Sequence, residues 1–208
     1  MPPELLLVGA GGHAKVVYDA VLQAKLADSV RIADEDPHRS GAWFFDIRVE
    51  APIGALGDLP ENVHVAVGDN RARRALSEQM AAAGKKWVTV IHPRAHVSHR
   101  AAVGEGAFVA ALAAVAPSAL IGSCAIINHC AVVDHDCVVG SWAHVAPNAT
   151  LGGGVRVGTG ALIGAGCVVL PGVAVGDWAV VGAGAVVTRS VPDRVMVLGI
   201  PARTVDHG

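Results

Sequence analysis

The sequence predicts a small α/β domain with a parallel sheet over residues 1–90, followed by an all-β parallel solenoid over residues 91–191 and a tail over residues 192–208. Two observations predict this architecture. An aliphatic residue recurs at every sixth position from Ile91 to Val187, with a small or β-branched residue four positions after each one. Before residue 90, short apolar runs alternate with helical patterns, which is typical of a parallel sheet covered by helices.

The six-residue period defines the solenoid. Neither an α-helix nor an isolated strand has this period, whereas a solenoid with three short flat sides does. We expect each aliphatic residue to point inward and each small residue to fill a corner, so that eighteen residues form one turn. The aliphatic series consists of Ile91, Val97, Val103, Val109, Val115, Ile121, Ile127, Val133, Val139, Val145, Leu151, Val157, Ile163, Val169, Val175, Val181 and Val187.

Composition excludes several classes of protein. The net charge is −2 and aromatic residues make up 4% of the chain, which argues against a nucleic-acid surface of clustered cations and stacking rings. The four cysteines form no CxxC pair and no framework spacing. No apolar run is long enough to span a membrane, and the first residues lack a basic leader region. We therefore expect a reduced, cytoplasmic protein with no membrane insertion.

The N-terminal part is predicted to alternate strands and helices. Residues 37–60 contain several Pro and Gly residues and are expected to be loop with a short strand or two. The predicted elements are a strand over 5–8, a helix to about residue 26, a strand over 29–33, a strand over 63–67, a helix over about 71–83 and a final strand near 87–90.

A glycine-rich turn, Gly9 to Lys15, follows the first strand and is a variant of the fingerprint that cradles phosphates. Its glycines let backbone N–H groups approach a ligand, and the helix that follows favours negative charge. A nucleotide diphosphate site is the favoured interpretation; a dinucleotide cofactor site and a purely structural turn are the alternatives. Polar loops at 34–36 and 68–70 also follow strands, and ligands bind at this edge of parallel sheets.

The solenoid contains one unusually polar stretch, from Asn128 to His144. In the eighteen-residue stacking, His135 has Pro117 beneath it and Gly153 above it. Because Gly153 has no side chain, we expect an open slot beside the imidazole for a thin ligand. Outward-pointing groups such as His144 would meet a neighbouring subunit in a trimer. The alternative is a solvated turn, in which the aspartates beside His135 only cap the backbone.

The glycine turn joined to this repeat resembles a known family: the bacterial nucleotide-sugar N-acetyltransferases of the bacillosamine and perosamine pathways and the related sialic acid O-acetyltransferases, of PglD/NeuD type. The resemblance covers nearly the whole chain. It implies a Rossmann-like domain that binds the nucleotide of the sugar, and a left-handed parallel β-helix. The matching motifs are residues 9–15, Asp34-Glu35, residues 68–70 with Arg73, residues 128–144 and the run Gly199-Ile200-Pro201-Ala202-Arg203.

The resemblance also implies roles for individual residues and a homotrimer with acetyl-CoA bound between subunits, without a metal. His135 would be the base, Asn128 would lie near the acceptor amine and His144 beside the thioester carbonyl. Gly153 and Ala161 would lie along the pantetheine, and the tail with Pro201 and Arg203 would flank the adenine end of CoA. The residues that would bind the nucleotide diphosphate amino sugar are Gly11, Gly12, His13, Lys15, Asp34, Glu35, Gly68, Asn70 and Arg73.

The hypothesis for the chemistry is direct attack of a sugar amine on acetyl-CoA. A neutral histidine suits removal of the amine proton at pH 7, and either Asp134 or Asp136 would orient His135. His144 or a nearby backbone N–H would stabilise the oxyanion. A route through a nucleophilic cysteine is disfavoured, because Cys137 is predicted to be buried in a corner, which raises its pKa.

Three alternatives remain at this stage. Transfer to a sugar hydroxyl would use the same base. A zinc enzyme that hydrates carbon dioxide could use His129, His135 and His144 as ligands, although the glycine-turn domain would then have no purpose. A scaffold that binds a nucleotide sugar without turning it over is the third. The sequence leaves open which nucleotide and which sugar are bound.

Overall fold

The computed structural model describes residues 4–55 and 57–205. The N-terminal domain contains a six-stranded sheet in the order β3-β4-β2-β1-β5-β6. All neighbouring strands are parallel except β3 and β4, which form an antiparallel hairpin. The strands are β1 (Leu5–Val8), β2 (Val30–Ala33), β3 (Trp43–Phe44), β4 (Ile47–Glu50), β5 (Asn62–Val65) and β6 (Lys86–Trp87).

Two α-helices belong to this domain, α1 (Gly12–Ala24) and α2 (Asn70–Ala82), with short 3-10 turns at Pro37–Arg39 and Ile53–Ala55. Helix α1 begins directly after the glycine turn, without a side-chain cap at its N-terminus. Helix α2 is capped by Asp69, whose carboxylate accepts the N–H of Ala72 at 2.8 Å. The alternation of strands and helices that the sequence predicts is confirmed.

The second part is a left-handed parallel β-helix, the handedness that the family resemblance implies, and it has the three flat faces that the six-residue period predicts. Most of its strands contain two residues, and those up to Val168–Val169 pair with the strand eighteen residues further on, as Phe108 does with Ile126. Face 1 consists of Val90–Ile91, Phe108–Val109, Ile126–Ile127, His144–Val145, Leu162–Ile163, Val180–Val181 and Met196–Leu198. Face 2 consists of His96–Val97, Ala114–Val115, Val132–Val133, Thr150–Leu151, Val168–Val169 and Val186–Val187. Face 3 consists of Ala102–Val103, Leu120–Ile121, Val138–Val139, Arg156–Val157 and Ala174–Val175.

The core of the β-helix is formed by the two predicted series. Their members from Ala107 to Val191 are at most 8% exposed, which confirms that the aliphatic residues point inward and the small residues fill the corners. Ile91, Val97 and Val103 are only partly buried, because they lie in the first coil, at one end of the stack. The strand Met196–Leu198 adds a coil to face 1 beyond residue 191 and pairs with Arg203–Thr204 in antiparallel fashion.

The N-terminal domain packs against face 1. Apolar side chains of α1, including Val17 and Val21, form one buried cluster with Val90, Phe108 and Ile126 of that face. No helix within the described ranges is long and apolar enough to cross a bilayer. The packing leaves the upper coils of face 1, from His144 onward, beside the carboxyl edge of the sheet.

Candidate functional site

A cavity of about 600 Å³ lies at the carboxyl edge of the parallel sheet, where the sequence predicts a nucleotide, and is called the nucleotide cavity. It is lined by the three loops that the sequence singled out, which include Gly11, Gly12, Glu35 and Gly68. Gly9 has a φ of +116°, and a Cβ there would lie 2.8 Å from Val67 Cγ2, so only glycine lets the first and third loops approach this closely. The predicted convergence of these loops is therefore present.

Asp34 organises the cavity. Its Oδ2 accepts the N–H of Ala10 at 2.8 Å, and its Oδ1 accepts the N–H of Asp36 at 2.9 Å. Arg39 donates from Nη1 to the Ala10 carbonyl at 3.1 Å and lines the same cavity. Arg39 is not among the residues predicted from the sequence, although Asp36-Pro37 is a recognisable start for the 3-10 turn that returns Arg39 to the glycine turn.

Two predicted substrate contacts are directed elsewhere by the fold. Arg73 is 1% exposed, and its guanidinium donates to oxygens of the protein itself, including the carbonyls of Cys124, Val67 and Trp142. The amide of Asn70 donates to the carbonyls of Gly160 and Ala161, at 3.0 and 3.1 Å. Both side chains therefore join the two domains instead of facing the nucleotide cavity.

Lys15 also differs from the expectation. Its ammonium lies 5.8 Å from the ring centroid of Phe45, on the exposed side of α1 and outside the nucleotide cavity. Among the groups at the glycine turn, the backbone N–H groups and Arg39 are therefore the ones that could meet a phosphate.

A cluster of buried polar side chains connects the nucleotide cavity to face 1. The rings of His13 and His144 are 6.3 Å apart, and the Asn128 amide nitrogen lies 3.0 Å from Nε2 of His144. The pKa of His13 is lowered to about 3 and that of His144 to about 4, chiefly by burial; the charge of His144 contributes to the shift of His13, and the Arg73 cation contributes to both. Both rings are neutral at pH 7. No side-chain or backbone partner for His13 Nε2 is found within the part of the chain that the structure describes.

His144 was expected to meet a neighbouring subunit, but it faces the N-terminal domain of its own chain. The reason is that this domain covers face 1, from which His144 projects. A second cavity, of about 350 Å³, adjoins the first through Gly68 and is lined by His144, Leu162 and Trp178. Ala161 is fully buried in a corner, so only its backbone could contact a ligand there.

His135 lies on the exposed corner between faces 2 and 3, and its side chain is 62% exposed. Its Nδ1 is 2.8 Å from Oδ2 of Asp136, whereas Asp134 accepts only the backbone N–H of His135 at 2.7 Å. This geometry assigns Asp136 as the orienting carboxylate. The hydrogen bond to Asp136, with the charge of Asp134, raises the pKa of His135 above its usual value. With Nδ1–H donated to Asp136, Nε2 is left as the acceptor.

Gly153 provides space for the imidazole of His135. A Cβ at Gly153 would lie 2.5 Å from Cε1 and 2.6 Å from Nε2 of that ring. The slot that the sequence analysis assigned to a thin ligand is therefore occupied by the imidazole itself. The glycine still matters for the site, because any larger residue would displace the ring.

One chain does not bring His135 and His144 together. In a prism with three faces, the corner between faces 2 and 3 lies opposite face 1, and His144 projects outward from face 1. The exposed histidine and the two adjoining cavities therefore lie on opposite sides of the same chain.

The C-terminal tail lies at the end of the β-helix. Pro201 is exposed, and Arg203 borders a cavity of about 240 Å³ together with Arg189 and Pro192. This placement puts the two predicted tail contacts above the last coils of the β-helix.

Two alternative chemistries, a Cys137 nucleophile and a bound metal ion, gain no support from residues 4–55 and 57–205 of one chain. Burial raises the pKa of the Cys137 thiol, which donates to the Gly152 carbonyl at 3.2 Å, so this thiol is a poor nucleophile. Among residues 4–55 and 57–205, no three His, Cys, Asp or Glu side chains are grouped to hold a metal ion.

Comparison with known proteins identifies relatives of both parts of the chain. Residues 4–80 match the PglD N-terminal domain model, and residues 154–189 match the bacterial transferase hexapeptide model. UDP-N-acetylbacillosamine N-acetyltransferase of Bacillus subtilis is 36% identical over 104 residues, which cover 49% of this chain and 48% of that protein. The chain thus matches about half the length of this curated relative.

Solved structures match over nearly the full length. The acetyltransferase domain of PglB from Neisseria gonorrhoeae, in complex with acetyl coenzyme A, has a TM-score of 0.91 and 34% identity, covering 99% of this chain and 100% of that chain. PerB from Caulobacter crescentus, in complex with CoA and GDP-perosamine, has a TM-score of 0.88 and 38% identity, covering 98% of this chain and 97% of that chain.

Proposed function

The chain belongs to the family of bacterial nucleotide-sugar N-acetyltransferases that combine a PglD-type N-terminal domain with hexapeptide repeats, and we propose that it transfers acetyl from acetyl-CoA to the amine of a nucleotide-linked amino sugar. The observation that carries this proposal is the pairing of His135 with Asp136, which leaves Nε2 accessible as a base on an exposed corner.

The acceptor nucleotide binds in the cavity at the carboxyl edge of the sheet. Helix α1 begins at Gly12 with Gly11 as N-cap and no side-chain cap, so its first N–H groups are available to a diphosphate. A Cβ at Gly11 or Gly12 would meet nothing within 4 Å, so a ligand can approach the backbone closely. Arg39 adds a positive charge on the same cavity. The sugar then extends toward His13 and His144.

In the proposed chemistry, the sugar amine attacks the thioester carbonyl of acetyl-CoA. Nε2 of His135 accepts the amine proton as the new C–N bond forms, and Asp136 stabilises the resulting imidazolium. The tetrahedral intermediate collapses by breaking the C–S bond, and the imidazolium returns the proton to the leaving thiolate. The Gly153 N–H makes no backbone hydrogen bond within the described residues, and we assign it to the pantetheine of CoA.

The active site requires two protomers. Since His135 and the cavities near His144 lie on opposite sides of one prism, the base of one chain must face the cavities of another. A cyclic homotrimer satisfies this requirement at each of its three interfaces. Acetyl-CoA then lies in the groove between prisms, with the tail that contains Pro201 and Arg203 near its adenine end.

The test is release of free CoA with a panel of uridine-, guanosine- and cytidine-linked amino sugars, each paired with its hydroxyl analogue. We expect turnover with an amine acceptor only. His135→Ala should lower kcat by about 100-fold, the scale of general-base catalysis, and His99→Ala, elsewhere on the β-helix, is the control. Unchanged turnover in His135→Ala would show that His135 is not the general base, and faster reaction of the hydroxyl analogues would identify an O-acetyltransferase.

A further inference from the structure

Helix α2 runs along the corner of the β-helix between faces 3 and 1. Cys124, Trp142 and Gly160 occupy equivalent places on this corner in successive coils, and all three have left-handed backbone, with φ between 53° and 64°. Among the backbone hydrogen bonds of the described residues, none uses the carbonyls of these three residues. The corner therefore presents a column of carbonyl oxygens that need donors from elsewhere.

Arg73 supplies donors to two coils of this column. Its Nε donates to the Cys124 carbonyl at 2.8 Å, and its Nη2 donates to the Trp142 carbonyl at 2.6 Å. Asn70, one helical turn earlier, donates to the Gly160 carbonyl of the next coil at 3.0 Å. The contacts fix the height of α2 along the β-helix, because a shift by a fraction of a coil would misplace every donor.

The same guanidinium also holds the third loop of the nucleotide cavity. Nη1 of Arg73 donates to the carbonyls of Val67 and Gly68, at 3.0 and 3.1 Å. Nη2 further contacts the Ala143 carbonyl at 3.3 Å, next to His144. One planar group thus connects the loop that lines the nucleotide cavity to the strand that carries His144.

Arg73 does this as a buried cation without a carboxylate partner among the described residues. Its oxygen partners are five backbone carbonyls, that of Ala143 included, and the side-chain amide oxygen of Asn70 at 2.8 Å, which together occupy its five N–H groups. Burial lowers its pKa to about 10, so the group stays charged at neutral pH. A lysine has three donors on one atom and could not reach both domains.

We propose that Arg73 is a positioning residue that sets the distance between the bound nucleotide and the acetyl-transfer site, so that the nucleotide of the acceptor contributes to kcat as well as to binding. This inference rests on the proposed function. It assigns to Arg73 a role in which binding energy at a remote cavity holds the amine in a reactive position.

The experiment compares Arg73→Lys and Arg73→Met with Arg74→Lys and Arg74→Met, the same changes on the neighbouring residue, which is exposed. We expect the Arg73 variants to lose ~10- to 100-fold in kcat with a saturating nucleotide-linked amino sugar. The affinity for the free nucleoside diphosphate should change by less than about threefold. The free amino sugar, which lacks the nucleotide, should react at the wild-type kcat/KM.

Three outcomes would overturn the proposal. A rise in KM at unchanged kcat would make Arg73 a substrate contact, and equal losses for linked and free sugars would leave it only a structural role. Amide hydrogen exchange tests whether Arg73 holds these segments together, without any measurement of activity. Exchange at residues 67–68 and 142–144 should be faster in both Arg73 variants, and unchanged exchange would exclude this role of Arg73. If the wild-type protein acetylates no nucleotide sugar, the proposed function fails, while the exchange result still decides whether Arg73 joins the domains.

Discussion

At the scale of single residues, the orientation and the position of the His135 ring depend on two neighbouring residues. Asp136 orients it through a hydrogen bond, and Gly153 leaves the space that its ring occupies. The six-residue period predicted that His135 lies on a corner, with Pro117 beneath it and Gly153 above it. The period could not predict whether Asp134 or Asp136 orients the ring. That choice depends on side-chain torsions, which a repeat pattern does not specify.

Asp136→Asn tests the hydrogen bond. Because Asp136 raises the pKa of His135, and the base must be neutral, kcat/KM should fall as the pH drops through that raised value. The variant lowers this pKa, so the acidic limb of the pH profile should move to lower pH, while the plateau should fall roughly tenfold because the imidazolium loses its partner.

The matched control for this pH profile is Asp134→Asn. Asp134 raises the pKa of His135 by charge alone and accepts the backbone N–H, so a smaller shift of the acidic limb is expected. An acidic limb at the wild-type pH in Asp136→Asn would contradict the assignment of Asp136 as the orienting carboxylate.

Gly153→Ala tests the space beside the ring. Its Cβ would lie 2.5 Å from Cε1 of His135, so the imidazole must move, and we expect kcat to fall by ~10-fold or more with the fold unchanged. Gly54→Ala is the control, because a Cβ there meets nothing within 4 Å. Wild-type kcat in Gly153→Ala would show that the position of the ring does not limit the reaction.

At the scale of elements, the repeat determined almost everything about the β-helix. Side chains that alternate inward and outward on two-residue strands follow directly from the period, and the buried series confirms it. The contacts between α2 and the β-helix could not be predicted from the repeat. Arg73 and Asn70 are polar residues beside a nucleotide-type loop, and their real partners lie 51 and 90 residues away in sequence.

In one strand of face 3, the inward orientation of the aliphatic residues can be tested directly. Ile121 is 4% exposed, and its neighbour Leu120 is 50% exposed. We expect Ile121→Ala to lower the free energy of unfolding by about 2–5 kcal/mol, the usual cost of a large cavity in a core. Leu120→Ala should cost less than about 1 kcal/mol by the same measurement of chemical denaturation. Equal costs would show that Leu120 is buried against another protomer.

At the scale of the whole molecule, the arrangement of the parts restricts where catalysis can occur. The sequence predicted both the nucleotide cavity and the exposed histidine, and under the proposed function neither is sufficient in one chain. The N-terminal domain covers face 1, and His135 projects from the opposite corner. For the same reason His144 faces the N-terminal domain of its own chain, and its contact with a neighbouring subunit stays a prediction.

Complementation of two inactive variants tests the shared site. His135→Ala removes the base, and Gly12→Asp places a carboxylate at the N-terminus of α1, where it repels a diphosphate without a steric clash. Each variant should be inactive alone. In a mixed cyclic trimer, one of the three interfaces joins an intact base to an intact cavity, so trimers isolated through two different affinity tags should show roughly a third of the wild-type turnover. If base and cavity worked within one chain, every chain would carry one of the two defects, and the mixed trimers would be as inactive as their parents.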